Sequence, residues 1–177
     1  MEFQFLYWIQ QFRSPGLDEF MTAITFLGDG GWFWIALGAV LLAVPKTRKT
    51  GAAVLISLAV GFILGNLILK NAVARQRPCW LDQAVPLLIK SPTDYSFPSG
   101  HSLASFEGAV SIFLYHKKWG IAAVILAVLI ACSRMYLFVH FPSDVLAGSL
   151  LGILIAVLVH KWLEDRAGRQ NQGAETG

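Results

Sequence analysis

Charge is what this chain of 177 residues has least of: lysine, arginine, aspartate and glutamate together make up only 14%. A soluble domain carries roughly 25% charged residues, so a soluble globular protein is excluded. There are two cysteines, Cys79 and Cys132. That is too few for a disulfide framework or a cysteine-based zinc site. The formal net charge is only +3, with no basic stripe, which leaves no footprint for nucleic acid. No cluster of aspartate and glutamate is present to hold magnesium. The opening MEFQFLYWIQQFR has neither a basic n-region nor a small-residue cleavage site, so no secretory signal stands out.

What the chain has is apolar length. Hydrophobic residues make up 55%, and the mean hydropathy is +0.58. They fall in blocks, which predicts an all-α, polytopic membrane bundle of about six transmembrane helices, over 17–28, 31–45, 51–70, 100–115, 119–138 and 143–163. Residues 2–12 alternate aromatic and polar side chains. They either form an interfacial helix or begin the first span. Gly28-Asp29-Gly30-Gly31 reads as a tight turn. The loop 72–97 is long enough to suggest a function. One membrane-embedded domain (1–165) and a charged, disordered cytoplasmic tail (166–177) are expected. Six spans place both termini on one side. Arg13, Lys46, Arg48, Lys49, Lys117, Lys118, Lys161 and Arg166 gather there, so that side is the cytosol. The other face is then extracellular or periplasmic. Trp80 and Trp119 read as interfacial anchors, and Gly61/Gly65 and Gly148/Gly152 as close helix contacts.

The unusual polar residues collect at the outer face. Lys70 ends the third span and Arg77-Pro78 follows. Ser99-Gly100-His101 opens the fourth span, Ser133-Arg134 ends the fifth, and His140 and Asp144 start the sixth. Ionisable groups at membrane helix ends are ordinary one by one, but their convergence on one level points to a site. Three cations suit a phosphate. Ser99 is a good N-cap, and the bare backbone at Gly100 adds free N–H groups and a helix dipole. Asp144, one turn from His140, is placed to hold one imidazole nitrogen and leave the other nucleophilic. His101, on another helix, is placed to protonate a leaving oxygen and then activate water. The arginines would stabilise transition-state charge without a metal.

Lys70-(x6)-Arg77-Pro78, Pro98-Ser99-Gly100-His101 and Ser133-Arg134-(x5)-His140-(x3)-Asp144 resemble the three signature motifs of the type 2 phosphatidic acid phosphatase superfamily. The resemblance implies a metal-independent phosphatase with a helical-bundle core and no cofactor. It implies His140 as the nucleophile forming a phosphohistidine, Asp144 orienting it, and His101 as general acid/base. Lys70, Arg77, Ser99, Gly100 and Arg134 would bind phosphate. Soluble vanadium haloperoxidases share such a site, but their chains are larger and not apolar.

The substrate expected is a membrane lipid phosphate met at the outer leaflet, first of all undecaprenyl diphosphate. Phosphatidylglycerophosphate, phosphatidate and lipid A phosphate are the alternatives. A phosphotransferase using the same phosphohistidine, and a non-enzymatic anion transporter or binding protein, are the readings from other classes. Three further residues are candidate pocket members. Glu107 either pairs with Lys70, lines a headgroup pocket or meets water. Asn66 lies one turn below Lys70. Arg75 meets substrate or solvent. A bridge between Cys79 and Cys132 would need strict geometry.

Overall fold

A computed structural model describes residues 1–175, with side chains to 170. Among the described residues the chain is all helical. The elements are α1 (Glu2–Gln10), α2 (Pro15–Phe26), α3 (Trp32–Ala43), α4 (Arg48–Gly61), a π-helical stretch (Phe62–Leu69) running into α5 (Lys70–Val73), α6 (Pro78–Leu81), α7 (Gly100–Tyr115), α8 (Lys117–Tyr136) and α9 (Pro142–Glu175). Pro45–Leu81, Lys117–Tyr136 and Pro142–Gln170 are each long and apolar enough to cross a membrane. The outer surface agrees. Leu146, Leu150, Leu154 and Leu158 form an exposed stripe down α9, and Ile121 and Ile125 are exposed on α8. Such a face is stable only against lipid.

The first two apolar segments depart from expectation. Gly28–Gly31 does not reverse the chain. Gly30 and Gly31 take positive φ angles of 58° and 69°, and α2 and α3 continue in one column bent by 41°. Each is 12 residues. That is about 18 Å, too short for a ~30 Å hydrocarbon core alone, whereas the pair together has the length. Among the described residues three helices have the length and apolarity to cross, or four crossings if the bent pair is one span, so the expected count of six is not confirmed.

The first and last helices make their polar contacts at opposite ends of the bundle. Glu2 on α1 reaches Arg75 and Ser143, and Arg13 donates to the Pro86 carbonyl, all at the end of the bundle that carries the polar cluster. Glu164 on α9 meets Lys49 and the Tyr115 hydroxyl at the opposite end. Arg13 thus leaves the group of cations at that far end. The helix α1 lies across the cluster end. Leu6 is buried there, Phe3 and Tyr7 pack on Phe138, and Phe5, Trp8 and Phe12 stay exposed. The Trp80 indole donates to the Pro92 carbonyl within the loop. The last helix does not stop near Glu164 but runs to Glu175; of the expected tail, residues 176–177 lie outside the described residues.

Glycines set the helix spacing. Gly148 and Gly152 press on the backbone carbonyls of Ser99 and Leu103, so α9 lies directly against the first turns of α7. Gly51 does the same to α3 at Gly38 and Leu42. Small residues at helix crossings allow this approach in a membrane, where packing replaces the hydrophobic drive.

This path predicts sidedness. In a protein with Cys79 and Cys132 replaced by serine, single cysteines at Gln11 and Lys90 are expected to react with a membrane-impermeant thiol reagent from the same side. One at Lys118 should react only from the other. Labelling of the positions 11 and 118 from one side would refute the bent column.

Candidate functional site

The cluster end holds a cavity of about 410 Å³. Lys70, Arg77, Gly100, His101, Arg134 and His140 all face it, together with Thr25 and Asp29. These six members of the sequence-predicted set are thus brought to one chamber by α5, α7, α8 and the loops around them. Ser99 and Asp144 stand just behind the wall.

The local sequence explains the placement. Ser99 caps α7, its hydroxyl accepting from the Ser102 N–H at 3.4 Å and the Ser102 hydroxyl at 3.0 Å. The N–H of Ser99 donates to the Asp144 carbonyl at 3.0 Å, tying the start of α7 to the start of α9. Gly100 fits against Asn66, whose Oδ1 would lie 2.9 Å from any added Cβ. Asn66 therefore supports the α7 terminus, on a π-helical turn of the kind often found beside functional sites. The Phe97–Pro98 peptide preceding this turn is cis.

His140 is buried, 1% exposed, in the link between α8 and α9. Its Nε2 lies 3.0 Å from Arg77 Nη1 and so accepts from that guanidinium. Its Nδ1 is 3.3 Å from the Ser96 hydroxyl and 3.7 Å from Asp144 Oδ2. The direct His140–Asp144 hydrogen bond expected from the spacing is thus too long. Ser96 mediates it, donating to Asp144 Oδ2 at 2.5 Å. Burial, and then the charges of Arg77, Arg134 and Lys70, push the His140 imidazole well below its ordinary value, so it is neutral.

Arg75 meets neither solvent alone nor the cavity. Its guanidinium donates to Asp144 Oδ1, Ser143 and Glu2, each at 2.6 Å, and its plane covers Phe141. It backs Asp144 and ties α1 to it. Glu107 does not pair with Lys70. It lies deeper, buried, lining a neighbouring groove. Cys79 and Cys132 are both free.

Three residues of the cluster carry no motif signal. Asp94 fills the space between two cations, accepting from Lys70 Nζ and from Arg77 Nη2 at 2.7 Å. Burial alone would raise its carboxyl, but Lys70 and Arg77 hold it down to about 2. Asp29, at the α2–α3 break, lies 2.8 Å from His101 Nε2. Ser96 is the third. Only Ser96, next to the Phe97-Pro98 pair, sat close enough to a motif to be suspected.

An apolar helical bundle with one cationic chamber faced by two histidines defines a membrane-embedded protein built to hold an anion. Residues 50–167 match the PAP2 superfamily, and the chain belongs to it. It is 43% identical over 138 residues to undecaprenyl-diphosphatase of Sulfolobus acidocaldarius, covering 76% of this chain and 66% of that protein, just under two thirds of its length. It is 37% identical over 172 residues to phosphatidylglycerophosphatase B of Bacillus subtilis, covering 90% and 81%. The crystal structure of Aquifex aeolicus LpxE superposes with a TM-score of 0.76, at 29% identity, covering 90% of this chain and 94% of that one.

Two measurements follow. Asp94 competes with any incoming anion for Lys70 and Arg77. Asp94→Asn is expected to tighten inorganic phosphate binding roughly tenfold, read by phosphate-dependent thermal stabilisation. Unfolded histidine takes up its proton near pH 6.5, above the folded His140 value. Its share of stability is therefore present above about pH 6.5 and lost as pH falls below it. The unfolding temperature should drop from pH 7 to pH 5, and less steeply in His140→Gln.

Proposed function

We propose that the protein is an integral-membrane, metal-independent lipid phosphate phosphatase working through a phosphohistidine, with undecaprenyl diphosphate as its first substrate. The observation that carries this reading is the single chamber shared by His140, His101, Lys70, Arg77 and Arg134. The similarity to an undecaprenyl-diphosphatase supports the choice of lipid.

The terminal phosphate displaces Asp94 and is held by Lys70, Arg77, Arg134 and the N–H of Gly100, with Ser99 fixing the start of the helix behind it. With Nδ1 turned to Ser96 and Asp144, neutral His140 presents Nε2 to phosphorus once the phosphate oxygens draw Arg77 Nη1 away from that nitrogen. An N–P bond forms as the bond from the terminal phosphorus to the bridging oxygen breaks, and the lipid monophosphate leaves. His101 gives its proton to the leaving oxygen. Water then attacks the phosphohistidine, losing a proton to His101, and inorganic phosphate leaves with His140 restored. The fixed guanidinium groups stabilise charge on the equatorial oxygens throughout. Asp29 orients the His101 ring.

The cations Lys46, Arg48, Lys49, Lys117 and Lys118 stay at the end opposite the chamber, so the positive-inside rule puts the chamber on the extracellular or periplasmic face. The bent α2–α3 column, α4, α7, α8 and α9 then traverse the bilayer, with the N-terminus on the chamber side and only the C-terminus cytoplasmic. Phosphatidylglycerophosphate is a second substrate reading, favoured by Glu107 as argued below.

Purified protein in mild detergent with EDTA is expected to release phosphate from undecaprenyl diphosphate, and His140→Ala to lose at least ~10³-fold in kcat. A variant as active as the wild type would remove the nucleophile. Appearance of a phosphorylated acceptor in place of free phosphate would make the protein a phosphotransferase.

A further inference from the structure

Beside the phosphate chamber lies a second, larger space of about 940 Å³. It starts at Lys70, Asp94 and His101 and descends between α3, α4 with its π-helical stretch, and α7. Ile35, Leu55, Leu58, Phe62 and Leu103 make its walls apolar. The shape and lining suit the hydrocarbon of a lipid whose phosphate is in the chamber.

One wall residue does not fit a purely hydrocarbon occupant. Glu107 is 1% exposed, and its Oε1 is buried with no hydrogen-bond partner. The carboxyl rests against Gly61, where any side chain would overlap it. A glycine on α4 thus makes room for an acid that nothing in the bundle pairs with. An unsatisfied buried polar group is costly, and more so when charged. Ionisable groups retained at membrane depth are functional by default. Glu107 lies six residues beyond His101 on the same helix. That is about 9 Å deeper along the axis.

We infer that Glu107 is a second polar subsite, taking the glycerol and ester region of a glycerophospholipid substrate whose phosphate occupies the chamber above. The inference rests on the lipid phosphatase reading. Glycerophospholipids carry hydroxyl, ether-type and carbonyl oxygens a few bonds below the phosphate ester. An isoprenyl diphosphate carries only hydrocarbon below its phosphates. Glu107 therefore gains a partner from the first class and none from the second.

The test compares phosphatidylglycerophosphate with undecaprenyl diphosphate in mixed micelles, using wild type, Glu107→Met and Glu107→Gln. Methionine keeps the length and removes the polar end, while glutamine keeps hydrogen-bonding capacity. The kcat/KM ratio of glycerolipid to isoprenoid is expected to fall roughly tenfold in Glu107→Met, mainly through KM. In Glu107→Gln it should stay within about threefold of wild type. An unchanged ratio in Glu107→Met overturns the subsite, and so does an equal loss on both lipids, which marks a packing role. Wild type that hydrolyses the isoprenoid but not the glycerolipid also overturns it, with the phosphatase reading intact. Wild type silent on both lipids removes that reading and this inference together.

Discussion

Everything at the active end is arranged around one constraint: cations must be kept charged inside an apolar bundle. Lys70, Arg77 and Arg134 are all buried around one cavity. Unpaired, each would face a desolvation penalty of several kcal/mol. Asp94 answers for two of them by standing between Lys70 and Arg77. Arg134 receives less. Its Nη1 donates to Thr25, while its Nε is buried without a partner. The chamber is thus under-compensated, which is the electrostatic condition for drawing in an anion. Asp94 is 53% side-chain exposed, so the counter-ion sits on the open side of the site, where it can yield to a competitor.

The same constraint explains the carboxylate that does not face the chamber. Asp144 is fully buried and saturated: it accepts from Ser96, the Phe141 N–H and Arg75. A carboxylate with that many donors is a fixed dipole rather than a mobile base. It reaches His140 through the Ser96 hydroxyl, so the imidazole is held by a relay of two groups. Arg75 is locked in turn by Glu2 on the first helix. The N-terminal helix is therefore a brace for the support of His140, coupled to it by charge, and packed on Phe138 and Phe141 by aromatic contact.

Much of this was legible in the sequence, and for a stated reason. Lys70, Arg77, Ser99, Gly100, His101, Arg134, His140 and Asp144 stand at helix ends, where apolar periodicity gives way to polar residues at a defined depth. Segment boundaries for α7 and α8 follow from the same contrast. What escaped was set by tertiary geometry. Asp29, Asp94 and Ser96 lie in turns and loops, with no spacing to relate them to the helices they serve. Arg75 looks like any loop arginine until the fold brings Ser143 and Glu2 beside it. The α2–α3 column was misread because a Gly-rich break signals a change of direction but not its angle. Two left-handed glycines can close a hairpin or bend a column, and only the packing of α3 along α7 and α4 chooses.

Glu107 shows how the two halves of the molecule divide their work. At the chamber, polar groups are numerous and nearly all satisfied by one another, so that specificity for phosphate is built from charge. Deeper in the groove, past Lys70, Asp94 and His101, Leu55, Leu58, Phe62 and Leu103 make the walls apolar, so a single unsatisfied carboxyl weighs more. Discrimination between lipids that share a phosphate must come from contacts beyond it, because the chamber treats all such headgroups alike. A hydrocarbon wall distinguishes such lipids little, while a buried polar group adds affinity for the lipid that can satisfy it. The glycine at position 61 and the acid at 107 are on different helices, α4 and α7, and neither makes sense without the other. That pairing places the lever for lipid selectivity about two turns below the chemistry, on the helix whose first residues hold the phosphate.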